Sequence, residues 1–257
     1  MGSMYLSICF FIVLSWPFVG AEQGKMKLLL LKYIASASVH GHALLDRALY
    51  LPKAWTDARE HCAHAGVPAA QRLATQPPLA QQRLQRAFEA GVPAAWVTGE
   101  SVYGDARRRR VGLAEQAHAS VMAVSGQEDV WRAGRQHQGK SCLAALATEG
   151  WDRLRAGDGA QGPRWYAWRW LPLAAPWPPD WRRWLLVGRR RSEPTALTAS
   201  GVFAPQETAL AHVVRVAGSR WTVARCGAEA KGESGCEHEE GRSWTGWYRQ
   251  STLAREA

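Results

Sequence analysis

The chain has 257 residues, enough for one large domain or two small ones, and 47% of them are hydrophobic, so a core can form. A formal charge of +10, carried mostly by Arg, favours an anionic partner, with nucleic acid first among them. Five scattered cysteines, an odd number, do not read as a disulfide framework and suit a reducing compartment, so a cytoplasmic location is expected.

Residues 1 to 26 differ from the rest. "MYLSICFFIVLSWPFVGA" is apolar and ends in small residues, as a signal peptide does, but only the amino terminus supplies positive charge ahead of it. Pro17 and its short length make it a poor membrane span. Three of the six lysines lie at Lys25, Lys27 and Lys32, whereas the remainder uses Arg. The break in composition suggests a segment of different origin that neither directs export nor joins the core.

Beyond it, strands and helices alternate. "ALLDRALYLP" (43–52) reads as a half-buried strand ended by Pro52. "HCAH" (61–64), like "CEHEE" (236–240), lacks the CxxC pair of a zinc module, so solvated polar residues are expected there. In "PLAQQRLQRAFEAG" (78–91), Leu79, Leu84, Ala87 and Phe88 recur at helical spacing and Gly91 is the stop. "AAWVTG" is a buried strand that ends on Glu100, the place where α/β folds build their chemistry. "RRRRVGLAEQA" (107–117) reads as a helix and "ASVMAVS" (119–125) as another strand. The whole is the pattern of an α/β layer fold.

"GRQHQGKS" (134–141) satisfies the formal P-loop pattern, but "QEDVWRA" before it is polar and not a core strand. A phosphate cradle needs a buried strand there, so no nucleotide cofactor is expected. From Trp131 to about Arg191 the chain turns rich in Trp, Arg and Pro. Trp165, Trp168 and Trp170 do not repeat like a simple strand, while "RRWLLVGRR" does look like one. Two readings stand side by side: an insertion that meets nucleic acid by charge and stacking, or a small β insertion with a tryptophan core. "APQETALAHVVRVAGSRWTVARCGAEAKGE" (204–233) closes the body as a long helical segment.

From about Ser36 onward the sequence resembles the catalytic region of bacterial insertion-sequence transposases of the DDE, RNase H-like superfamily. The resemblance rests on "HGHALLDRALYLPKAWTDARE", "AGVPAAWVTGESVYG", "LRAGDGAQGPRWYAW", "VVRVAGSRWTV" and "RSWTGWYR", in the family's order. It implies an RNase H-like mixed sheet with flanking helices and a Trp/Arg/Pro-rich β insertion, incomplete at both ends. The implied parts are a first stretch of core over 27–130, the insertion over 131–200 and a closing helical part over 201–257. In such transposases three carboxylates hold two Mg²⁺ ions, which activate the attacking oxygen and stabilise the leaving one. Glu100 stands at the second acid's position, one methylene longer than the family's Asp. The third is expected in the spacing Arg-x3-Glu-x6-Lys; Arg220 and Lys231 fill its ends, but Ala224 stands at the Glu. The first lies on a strand upstream of His40, and the amino-terminal stretch offers no candidate. The resemblance thus implies a DNA-contacting transposase fragment with a broken catalytic triad. The phosphate contacts expected are Arg220, Lys231, Arg107, Arg108, Arg109, Arg110, Arg182 and Arg183. The alternatives are a basic DNA-binding remnant and, if residues 1–21 act as a signal, an exported basic protein.

Overall fold

The computed structural model describes residues 5–13, 29–38, 40–51, 57, 59–71, 76–104, 107–125, 129–132, 135–138, 150–159, 162–173, 179–190, 193–233 and 243–256. The strands among these residues are β1 (Tyr5–Val13), β2 (Leu29–Ser38), β3 (Gly41–Tyr50), β4 (Trp96–Gly99), β5 (Ala119–Val124), β6 (Asp129–Arg132), β7 (Arg135–Gln138), β8 (Asp152–Gly159), β9 (Gly162–Leu173), β10 (Trp181–Arg190) and β11 (Glu193–Pro205). The helices are α1 (Arg59–His64), α2 (Gln76–Glu89), α3 (Ser101–Gly104), α4 (Arg107–Glu115), α5 (Leu210–Glu233) and α6 (Trp244–Glu256).

Nine strands join one mixed sheet in the order β3-β2-β1-β4-β5-β11-β10-β9-β8. The first three form an antiparallel meander, and β4 and β5 then run parallel to β1. This is the RNase H-like mixed sheet that the sequence implies. The expectation that residues 1 to 26 stay out of the core fails for Tyr5–Val13, which form the strand between β2 and β4. The cause is the apolar run itself: "YLSICFFIV" suits a strand with sheet on both sides, and its composition break says nothing against that.

The tryptophan-rich stretch continues the sheet instead of standing apart from it. Strand β11 pairs with β5, and β10, β9 and β8 follow as antiparallel neighbours. In β9 the tryptophans do obey strand alternation. Trp168 and Trp170 face α5, while Trp165, an odd number of residues away, lies on the other face and is 47% exposed. Trp168, Trp184 and Leu186 are buried with Val213, Val214 and Val216 of α5, so the tryptophan-core reading holds for these residues.

On that face α5 crosses β8 closely enough that only glycine fits at Gly218. An ideal Cβ there would lie 1.4 Å from the Ala156 carbonyl oxygen. The helix starts at Leu210, not Ala204, because Ala204 and Pro205 finish β11 and a turn at Gln206–Glu207 precedes it. On the opposite face, Leu84 and Ala87 of α2 pack with Ile34, Val97, Tyr103 and Met122. Gly91 stops α2 as expected: its φ is 71°, and Val92 N–H donates to the Ala87 carbonyl at 3.0 Å. The last helix, α6, is held on β3 by Arg47, whose guanidinium donates to Ser251 Oγ at 2.7 Å and to the Tyr248 carbonyl at 2.9 Å.

Candidate active site

Strand β4 is buried at every position, with β1 on one side and β5 on the other, and Thr98 is fully buried within it. At its carboxyl end, where α/β folds build their sites, Glu100 stands half-buried. The turn behind it is fixed from below. Tyr103 N–H donates to the Glu100 carbonyl at 2.9 Å, and the Tyr103 ring is fully buried against Val97 and Met122.

Helix α5 brings Arg220 over this end. Its Nη1 lies 3.8 Å from Glu100 Oε1, with the side chains 25% and 32% exposed. Ala224 follows one helical turn beyond Arg220, and Lys231 lies further along the same helix; the side chains of both are outside the described residues. The β1 strand passes beside β4 with Ile8 level with Gly99, the last registered pair, and Cys9 follows Ile8 as Glu100 follows Gly99. No residue of β1 is acidic. A strand does therefore stand upstream of His40 and beside β4, but it brings no carboxylate.

A line of cations and rings leads away from Glu100. The Arg220 guanidinium carbon is 6.0 Å from the Trp221 ring centre, and that of Arg164 is 5.3 Å from it. Tyr166 stacks on Trp221 at 5.4 Å and 18°. Arg190, fully exposed, lies 6.0 Å from the Tyr166 ring; hydrogen bonding to Tyr166 raises its pKa above the ordinary arginine value. Trp221, Arg164 and Tyr166 were not among the sequence candidates. The signal was the alternation of Arg164, Tyr166 and Trp168 along one strand, with Trp221 next to Arg220 in the chain.

Of the other predicted phosphate contacts, Arg182 and Arg183 are not gathered here. Arg182 and Arg183 open β10, which runs parallel to β5 through β11, so they lie at the amino end of β4 and β5. Arg189 and Arg190 close the same strand, about 20 Å or more along it. Arg182 Nε donates to Gln206 Oε1 at 2.9 Å. Arg107, Arg108 and Arg109 sit on α4 with side chains outside the described residues, and Arg110 is half-buried.

Among the described residues the donor set does not fit a pair of divalent ions. Two metals need several carboxylates, whereas Glu100 faces a guanidinium and Ala224 offers a methyl group. Among the described residues no three His, Cys, Asp or Glu side chains gather as a metal site. In "GRQHQGKS", residues 135–138 form a hairpin strand paired with β6; the rest lies outside the described residues, as does "CEHEE". Of "HCAH", Cys62 is buried in the core under α6, beside Trp247.

The sequence model of the DDE superfamily endonucleases matches residues 32–141. No curated protein matches the chain. The crystal structure of the NurA nuclease from Sulfolobus solfataricus is similar at a TM-score of 0.38 and 7% identity, over 84% of this chain and 73% of that one. Residues 32–141 include β4 and Glu100, so over that part of its length the chain is similar to the DDE superfamily endonucleases.

Proposed function

We propose that this protein is a transposase-type endonuclease domain that contacts DNA and does not cut it. The observation that carries the reading is the ligand set around Glu100. Its neighbour strand β1 has no acid, the helix position one turn past Arg220 is Ala224, and Arg220 itself stands against the remaining carboxylate. A guanidinium cannot ligate a metal, because it has donors only. It can hold a phosphate oxygen, and Arg164 and Arg190 extend the same charge along the sheet. Lys231 and the Arg107–Arg110 run would add further phosphate contacts, and DNA is the partner the +10 charge favours.

In the parent chemistry divalent ions activate the attacking oxygen and stabilise the leaving one. The residues of this chain supply the other half of such a site, the positioning of phosphates. Binding and chemistry are thereby separated.

The test is duplex binding by fluorescence anisotropy between about 50 and 200 mM salt, in EDTA and in Mg²⁺. Affinity governed by phosphate neutralisation falls by an order of magnitude or more over that range and needs no Mg²⁺, which as a competing counterion lowers it. Affinity independent of salt contradicts the electrostatic account, and affinity that requires Mg²⁺ contradicts the separation. A second arm rebuilds the ligand set with Cys9→Asp, Glu100→Asp and Ala224→Glu together. Mn²⁺ binding by the triple variant and not by the parent supports the assignment of the three positions. Mn²⁺ bound at Glu100 in the parent refutes it.

A further inference from the structure

At the end of the sheet opposite Glu100 lies an open cleft of about 600 Å³, between the amino ends of β4, β5 and β10 and the first turns of α5. Its volume is in the range that takes a small organic ligand. Trp181, half-buried, and Trp96, buried, line the cleft: Trp181 stacks on Phe203 at 4.7 Å, and Trp96 meets the ring of His212, itself a lining residue, at 5.4 Å. His118, at the mouth, is stacked on Phe88 at 4.0 Å and 11°. Ala117 beside it has a φ of 54°, the one non-glycine residue with positive φ among those described. It ends α4 as Gly91 ends α2: His118 N–H donates to the Leu113 carbonyl at 2.9 Å, which sets His118 beside the cleft.

The charged side chain that lines the cleft is a cation, Arg215. Arg215 Nη2 lies 3.4 Å from His212 Nδ1. A guanidinium only donates, so Nδ1 accepts and the imidazole proton sits on Nε2, which leaves both side chains presenting donors. The amino end of the 24-residue α5 adds its partial positive charge at the same place. No residue lining the cleft is acidic; Asp180 and Glu207 adjoin it in sequence without lining it.

We propose that this cleft binds a planar aromatic anion, of which a purine nucleoside monophosphate is the representative. The ring lies against the tryptophan walls, and the anionic group meets Arg215, His212 and the start of α5. The inference is independent of the DNA reading, because the cleft shares no residue with the Glu100 site.

Isothermal titration of the full chain with adenosine 5′-monophosphate, adenosine and inorganic phosphate tests it, with amide hydrogen exchange as the locating measurement. The expected result is saturable binding of the nucleotide, with adenosine and phosphate each about tenfold weaker or more. Arg215→Ala, an exposed position, weakens the nucleotide about tenfold and leaves the fold intact. Exchange protection falls on residues 117–119 and 209–215. Any of four results overturns the proposal. The nucleotide fails to bind at about 10 mM; Arg215→Ala binds it unchanged; adenosine or phosphate alone binds as well; or protection falls around Glu100 and Arg220 instead.

Discussion

The Arg220 guanidinium and the Glu100 carboxylate face each other at 3.8 Å across the carboxyl end of β4, each still partly open to solvent. A pair this exposed adds little stability, about 0–1 kcal/mol. Its consequence is electrostatic: Glu100 offsets one of the cations that would meet a phosphate. Glu100→Gln is expected to change unfolding free energy by less than about 1 kcal/mol and to tighten duplex binding about threefold. Weaker binding by the variant would show that Glu100 does something other than offset Arg220.

The two ends of β10 should behave differently. Arg164→Ala with Arg190→Ala removes charge from the line that starts at Arg220, whereas Arg182→Ala with Arg183→Ala removes it from the far end of the sheet. The first double variant is expected to reduce the slope of log affinity against log salt by about 2, one for each phosphate left without its arginine. The second leaves the slope nearly unchanged. An equal reduction from both would mean that DNA lies across the whole sheet.

Gly218→Ala tests the seat of α5 on β8. The added methyl group meets the Ala156 backbone oxygen, which no rotamer change can move aside. The expected cost is about 3 kcal/mol or more by chemical denaturation, at the upper end of overpacking effects. Because α5 carries Arg220, DNA affinity should fall with it. A variant as stable as the parent would contradict the close crossing.

The pH dependence of stability has a definite sign. Burial lowers the pKa of His118 and of His212, with Arg215 lowering the latter further. Below the unfolded-state value of 6.5 the unfolded chain takes up protons that the folded one resists, so stability present above that pH is lost as pH falls through the folded values. Thermal unfolding should come at lower temperature at pH 5.5 than at 7.5, and replacing both histidines with Gln should flatten that difference. An unchanged difference in the double variant would assign the acid sensitivity elsewhere.

Local pattern made much of the sheet legible. The apolar residues on either side of Asp46 and Arg47 in "ALLDRALYLP", the helical spacing of Leu79, Leu84, Ala87 and Phe88, and the stop at Gly91 are short-range signals, and each element formed where its pattern lies. The place of β1 was not legible, because composition marks origin whereas strand pairing depends on the apolar run and on a partner far along the chain. The tryptophans misled for a related reason. Their spacing in β9 puts Trp165 on one face and Trp168 and Trp170 on the other, a difference that matters only once α5 covers one of them. Glu100 was readable from its place after a buried strand, and its pairing with Arg220, 120 residues later, was not.

Cleavage of DNA in the presence of metal tests the central claim most directly. A supercoiled plasmid is incubated with the unmodified chain in Mg²⁺ and in Mn²⁺, beside Glu100→Ala, and the nicked form is measured. With one carboxylate facing Arg220 and none on β1 or at Ala224, the account predicts no nicking above the protein-free control by either protein. Metal-dependent nicking by the unmodified chain, abolished by Glu100→Ala, would contradict it.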